Sequence, residues 1–195
     1  MINNSLPMGA TPLSEEEKEG LLLTHITNKE ELNRWEQENI NLAIEWCLSL
    51  KNPSILSITF ILQLHKKMFN TVWSWAGTFR ASDKNIGVQH WQISTEIKKL
   101  LDDIDYWRKH NTFSKDEVAA RLHHRLVAIH PFPNGNGRHG RLFTDLAQKY
   151  VLKTKPFTWG AVNLTDTSPT RKNYIDSLKE ADRGNYLPLL KFLRS

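Results

Sequence analysis

Apolar residues in this chain recur mainly three and four positions apart, the spacing that gathers side chains on one face of an α-helix. Leu32, Trp35, Leu42, Trp46 and Leu50 predict a helix over about 29–50, opened by a Thr27/Glu30 capping box and stopped by Asn52-Pro53. A second helix is expected over about 55–70, with Ile58, Ile61, Leu62, His65 and Phe69 on one face. Ile93, Ile97, Leu100, Leu101, Ile104 and Trp107 mark a third. Ser114 with Glu117 caps a fourth, whose stripe of Val118, Leu122, Leu126 and Ile129 ends at His130, because Pro131 disfavours helical geometry in the residue before it. Leu142, Phe143, Leu146, Ala147, Tyr150 and Val151 belong to a fifth, Ser168-Pro169 opens a sixth, and Leu187–Leu193 is a short last one.

Residues 71–92 lose this period. Trp73, Trp75 and Phe79, punctuated by Gly77 and Gly87, predict a loop and a short β-hairpin. Residues 1–27, with the acidic run Glu15-Glu16-Glu17, read as an extended lead-in. The expected fold class is all-α: a single helical domain with one small hairpin flap and an N-terminal extension helix.

Composition narrows the class. A length of 195 residues is that of one domain, and 39% hydrophobic with 24% charged residues is ordinary for a packed, soluble chain. No apolar run approaches the ~18 residues of a membrane span, and the N-terminus lacks the basic start and apolar stretch of a secretory signal. The single cysteine, Cys47, excludes a disulfide framework and a cysteine-rich zinc site. A cytoplasmic location is expected. The net charge of +5 is spread without a basic run, which argues against a dedicated nucleic-acid binder.

The chemistry concentrates in His130-Pro131-Phe132-Pro133-Asn134-Gly135-Asn136-Gly137-Arg138-His139-Gly140-Arg141. This is a glycine-rich loop running into a helix N-terminus, where unpaired N–H groups and the helix dipole favour anions. Arg138 and Arg141, three apart, project from one side of the first turns, and two guanidinium forks suit a polyphosphate. His130 stands at the loop entrance with an ordinary pKa of about 6.5, fit to take a proton from an attacking hydroxyl. His123, His124, His130 and His139 match no zinc-binding spacing, and His123 and His124 are expected to be ordinary helix-face residues.

The segment resembles the signature of the Fic (Fido) family, HxFx(D/E)GNGRxxR, at His130, Phe132, Gly135, Asn136, Gly137, Arg138 and Arg141. Trp75-Ala76-Gly77-Thr78-Phe79-Arg80 resembles the family's WAGxxR segment before its flap, and Tyr174 through Phe192 its closing helices. Asn33 to Gln37 and the HPFPNGNGRH run are similar to the branch called mobile mystery protein B. The resemblance implies a division into a lead-in with an inhibitory helix over 1–54 and a Fic/Fido domain over 55–195. It implies transfer of AMP from ATP to a hydroxyl side chain of a protein, with Mg²⁺ assisting. His130 would be the general base, Gly135, Asn136 and Gly137 the anion cradle, Arg138 and Arg141 the clamps on the β and γ phosphates, and Phe132 the anchor of the loop. The phosphate-transferring Doc branch carries Ala and Lys where this chain has Gly135 and Gly137.

The match departs at one position. Asn134 stands where the family places the acidic residue that holds Mg²⁺; it counts as nucleotide-binding and as a weak metal ligand, since an amide oxygen brings no charge. Glu38-Asn39 partly matches the family's inhibitory pattern (S/T)xxxE(G/N), with Arg34 in the hydroxyl position, so Glu38 is read either as an inhibitory carboxylate that reaches Arg141 or as a solvated residue flanking the apolar stripe. Ile86, Gly87 and Val88 form the candidate target-docking flap, aligning a target by strand addition. Tyr174 is placed either in an adenine pocket or in the core. The alternative function is a catalytically weak module that binds nucleotide, or nucleic acid through Lys66, Lys67, Lys98 and Lys99.

Overall fold

The computed structural model describes residues 13–161 and 168–195. Among these residues the chain forms eight α-helices: α1 (Glu15–Glu19), α2 (Lys29–Ser49), α3 (Ile58–Phe69), α4 (Ile93–His110), α5 (Lys115–Ile129), α6 (Asn136–Ala147), α7 (Pro169–Asp182) and α8 (Leu187–Arg194). No β-strand occurs among them, only an isolated bridge between Leu21 and Trp73.

Local chemistry explains the boundaries. Asn28, one residue after the expected Thr27, caps α2 by accepting from the Glu31 N–H at 2.8 Å. Ser57, Ser114 and Ser168 cap α3, α5 and α7 in the same way, and Pro169 sits in the first turn of α7, where its missing N–H costs nothing. The lead-in is not wholly extended. Ser14 and Glu17 make a reciprocal capping box that starts α1, whose first-turn Glu15, Glu16 and Glu17 complement the positive end of its dipole. Residues 1–12 of the expected lead-in lie outside the described residues.

α3 lies at the centre. Ile61, Leu64 and Met68 are fully buried there, each such side chain stabilising the fold by roughly 1.5–3 kcal/mol through water released. α2 packs along α3, α4 along α5, α5 along α6, and α7 along α8. The stripe expected on α5 is wholly buried, and that on α4 is buried except for Trp107, which is half-buried. On α2 the buried face is Glu36, Asn39, Ile40, Ala43 and Cys47, whereas Trp35 and Leu42 are exposed. The helix is therefore rotated relative to its apolar stripe.

The hairpin flap is absent. Arg80, almost fully buried, gathers the carbonyls that a hairpin would pair: its guanidinium donates to Ser82 O at 2.7 Å, to Val88 O, and to His130 O at 2.7 Å. The Val88 N–H goes to Ile129 O at 3.3 Å. Residues 81–89 are thus an irregular segment laced to the end of α5.

Candidate active site

His130 follows the last residue of α5 in a left-handed conformation, φ 55°, that turns the chain out of the helix. Such a conformation is unfavourable for a residue with a Cβ and persists because neighbours hold it. Arg80 binds its carbonyl, the Arg80 N–H donates to Pro131 O at 2.9 Å, and Gly87 packs directly over it. At Gly87, φ is +101°, and a Cβ would lie 2.8 Å from the His130 Cβ. The glycine is there for close approach. Burial, then the charges of Arg80 and Lys84, pull the His130 pKa down to about 4. Its imidazole is neutral at pH 7, as a general base requires.

The loop beyond is held from below. His65, fully buried on α3, stacks on Phe132 with ring centroids 3.7 Å apart. Its Nδ1 accepts from the Gly77 N–H at 2.9 Å, so Nε2 carries the hydrogen and donates to Asn134 O at 3.1 Å. The Asn136 amide closes the loop on itself, accepting from Phe132 N–H at 2.9 Å and donating to Phe132 O at 2.8 Å. Both ends of that side chain are spent on loop shape, leaving its backbone to face an anion. Gly135 has φ +77°, and a Cβ there would sit 2.5 Å from the Phe69 ring. No side chain caps α6, so the N–H groups of its first turn, Asn136 and Gly137 included, stand open at the positive end of the dipole.

The two arginines differ. Arg138 lies over the Phe69 ring, 4.9 Å from its centroid, and its Nη1 donates to Glu36 Oε2 at 2.7 Å. Glu36 is 2% exposed, and its other oxygen accepts from the Trp73 indole N–H at 2.6 Å. Arg141 makes no ion pair among the described residues. Its guanidinium lies near Gly137, where a Cβ would stand 3.7 Å from Nη1. Burial lowers its pKa, the mark of a positive charge without a full counter-charge.

Glu38 does not reach Arg141; it is exposed on the outer side of α2. The carboxylate that enters the site from α2 is Glu36, two residues earlier, and it takes Arg138. Asn39, beside Glu38, ties α2 to the end of α3 through Lys67 O and Thr71. Ile86 and Gly87 are exposed, and Val88 is half-buried with both backbone groups spent, so the expected strand edge is not presented. Tyr174 is buried, with its hydroxyl 2.7 Å from His123 Nε2. Glu36 and His65 went unassigned by sequence reasoning: His65 sits on a face read as apolar, and Glu36 lies off the apolar stripe of α2, on the face that the fold turns inward. A carboxylate and an imidazole at i and i+3 or i+4 from buried positions were the available signal.

A groove of about 380 Å³ opens between α2 and α6, lined by Gln37, Ile40, Arg138, Arg141, Asp145 and Trp159 among others. Burial raises the Asp145 carboxyl to about 6, while the Trp159 indole N–H donates to it at 3.0 Å. The residues do not fit a resident Mg²⁺. Asn134 Oδ1 is already accepting from the Gly135 N–H at 2.6 Å, and Glu36 is committed to Arg138 and Trp73. Mg²⁺ favours a carboxylate, and the loop offers none.

Residues 55–147 match the model of the Fic/DOC family. The chain is a Fic-domain protein. It is 28% identical over 169 residues to the protein adenylyltransferase fic-1 of Caenorhabditis briggsae, covering 80% of this chain and 32% of that one. It is 25% identical over 171 residues to the protein adenylyltransferase Fic of Nematostella vectensis, covering 80% of this chain and 37% of the other. The chain thus spans about a third of the length of these curated relatives. The N-terminal Fic domain of Bep8 from Bartonella sp. 1-1C superposes with a TM-score of 0.68 at 16% identity, covering 88% of each chain. BepC from Bartonella tribocorum, solved with AMPPNP bound, gives 0.63 at 19% identity, covering 93% of this chain and 97% of that one. This chain shares the Fic fold with both solved structures. No helix among the described residues is long and apolar enough to cross a membrane.

Proposed function

We propose that this Fic-domain protein transfers AMP from ATP to a hydroxyl side chain of a protein, and that α2 restrains it. The observation that carries the reading is a neutral, buried imidazole, His130, beside an uncapped helix N-terminus flanked by two guanidiniums. The target oxygen would attack the α-phosphorus while His130 takes its proton. A new O–P bond forms as the bond between the α-phosphorus and the bridging oxygen breaks, and pyrophosphate leaves with that oxygen. The negative charge developing on it meets the α6 N–H groups, Arg138 and Arg141, which act strongly because they are already in place and partly shielded from water. The adenylyltransferase names of the sequence relatives and the nucleotide in BepC support the same choice.

Restraint follows from Glu36. While its carboxylate holds Arg138, that guanidinium is neutralised and turned toward α2, and an incoming phosphate must compete with a buried anion. The sequence assigned this role to Glu38 and Arg141; the contact in the fold supports Glu36 and Arg138 instead. Binding of nucleic acid has less support, because Lys98 and Lys99 are paired with Asp102 and Glu96 on their own helix. His130→Ala should remove transfer by a factor of ~10²–10⁴ with melting temperature retained, since no other base stands at the loop entrance. Transfer by the folded variant at the wild-type rate would overturn the mechanism.

A further inference from the structure

The lead-in helix α1 is five residues long, too short to stand on its own in water. It stands because the run after α3 holds it. The Trp75 indole N–H donates to Glu17 O at 2.9 Å, the Ser74 N–H to Gly20 O at 2.8 Å, and the Leu22 N–H to Val72 O at 2.9 Å. Gly20 permits this approach, since a Cβ there would lie 2.4 Å from Trp75 Cδ1. α1 lies outside residues 55–147, the part of the chain that matches the family model. One of its side chains reaches further. The Glu17 carboxylate, which accepts from the Ser14 N–H at 2.8 Å, also binds the Lys84 ammonium. Lys84 belongs to the irregular segment 81–89, whose Asp83, Asn85, Ile86 and Gly87 are exposed. Its side chain is nevertheless only 5% exposed, and that of Glu17 12%. A lysine is almost never buried without a partner, because its charge must leave water. The transfer chemistry above gives this pair no role.

We infer that Glu17 and Lys84 are positioning residues: their ion pair straps segment 81–89 over the end of α5, and the segment in turn holds His130 in place as the base. Each link is a contact. Gly87, three residues after Lys84, packs on His130, where a Cβ of its own would stand 2.8 Å from the His130 Cβ and 3.0 Å from Ile129 O. The Val88 N–H donates to Ile129 O at 3.3 Å, and the Arg80 guanidinium to His130 O at 2.7 Å. The left-handed backbone of His130 depends on these neighbours. Arg80 also binds Ser82 O, and Asp83 accepts from the His90 N–H at 2.8 Å; both are fastenings within the segment's own neighbourhood. Glu17, 67 residues before Lys84, reaches the segment from another element. A helix of the lead-in thereby sets the geometry of the loop entrance.

This inference rests on the reading of His130 as the base, and two readouts keep them apart. Wild type, Glu17→Gln, Lys84→Met and Lys84→Arg, all as full chains, are compared by amide hydrogen exchange and by transfer of α-labelled ATP to the protein itself. Glu17→Gln keeps an oxygen for the Ser14 N–H, and Lys84→Met keeps the length of the side chain, so both are expected to fold, with melting confirming it. Loss of the charge-assisted bond should speed exchange of the Val88 amide about tenfold, with the amide of Leu64, buried in α3, unchanged. Transfer should fall severalfold at unaltered ATP affinity, measured by calorimetry, because the pair acts on the base and not on the phosphates. Lys84→Arg, which keeps the charge, should stay within about twofold of wild type in both readouts. Val88 exchange or transfer unchanged in Glu17→Gln and Lys84→Met would overturn the inference. So would Val88 and Leu64 amides quickened alike, or ATP affinity lost in step with transfer. If wild type takes up no label while Val88 exchange responds as expected, the reading of His130 falls and the strap on segment 81–89 stands.

Discussion

His65, His123, His130 and His139 are packed where water does not reach freely, and burial draws each below the ordinary histidine pKa: His65 well below it, His123 to about 3, His130 and His139 to about 4. An unfolded chain would protonate all four near pH 6.5. Below that value the unfolded state takes up protons that the native state refuses, so stability is complete above pH 6.5 and falls as pH drops from 6.5 toward 4. Each histidine contributes a slope of up to about 1.4 kcal/mol per pH unit within that window. Thermal melting followed between pH 7.5 and 5 should show a progressive fall, smaller in His139→Gln than in wild type. A melting temperature unchanged down to pH 5 would mean that these side chains are solvated. The signature His130 and the arginines were legible in sequence because glycine, arginine and histidine are rare in that order. His65 was not, since its place on an apolar face reveals burial but not the Gly77 N–H and Asn134 carbonyl that meet it.

At the scale of the element, α2 shows how an apolar stripe misleads. Trp35, Leu42 and Leu48 are exposed, and the face that enters the core presents Glu36 and Asn39 beside Ile40, Ala43 and Cys47. At about 100° per residue Glu38 lies about 60° from Trp35, but Trp35 is itself exposed and Glu36 is the residue inside. Polar groups with long-range partners, Trp73 and Arg138 for Glu36, reverse the rule that apolar faces turn inward. The flap failed for a related reason: Arg80 took the carbonyls that local pairing would have used. Two substitutions test the restraint. Glu36→Gln removes the charge yet keeps an oxygen for the Trp73 N–H, whereas Glu36→Ala orphans that buried donor at a cost of about 1–3 kcal/mol. Both should bind ATP more tightly and modify themselves faster than wild type, with the larger loss of melting temperature in Glu36→Ala. Equal ATP affinity in all three proteins would reduce the Glu36–Arg138 pair to scaffolding.

Across the whole molecule, helices drawn from distant stretches converge on one loop. α3 supplies His65 and Phe69 beneath it, α5 ends in His130, α6 begins at its glycines, and α2 approaches from the side with Glu36. The helices from α2 onward were readable from the sequence, and the capping Ser114 and Ser168 from type and position; α1 with its Ser14 cap, and Ser57, were not. Nor was the convergence of the helices, because contacts such as Glu36 with Arg138, separated by 102 residues, leave no local trace. The central claim is that this arrangement attacks the α-phosphorus of ATP and not the γ-phosphorus. Wild type, Glu36→Ala and His130→Ala are incubated with ATP carrying its label at either the α or the γ phosphate, and protein-bound label is counted after denaturation. The account predicts label from the α position only, strongest in Glu36→Ala and missing in His130→Ala. Label retained from the γ position, or α-label carried equally by His130→Ala, would contradict it.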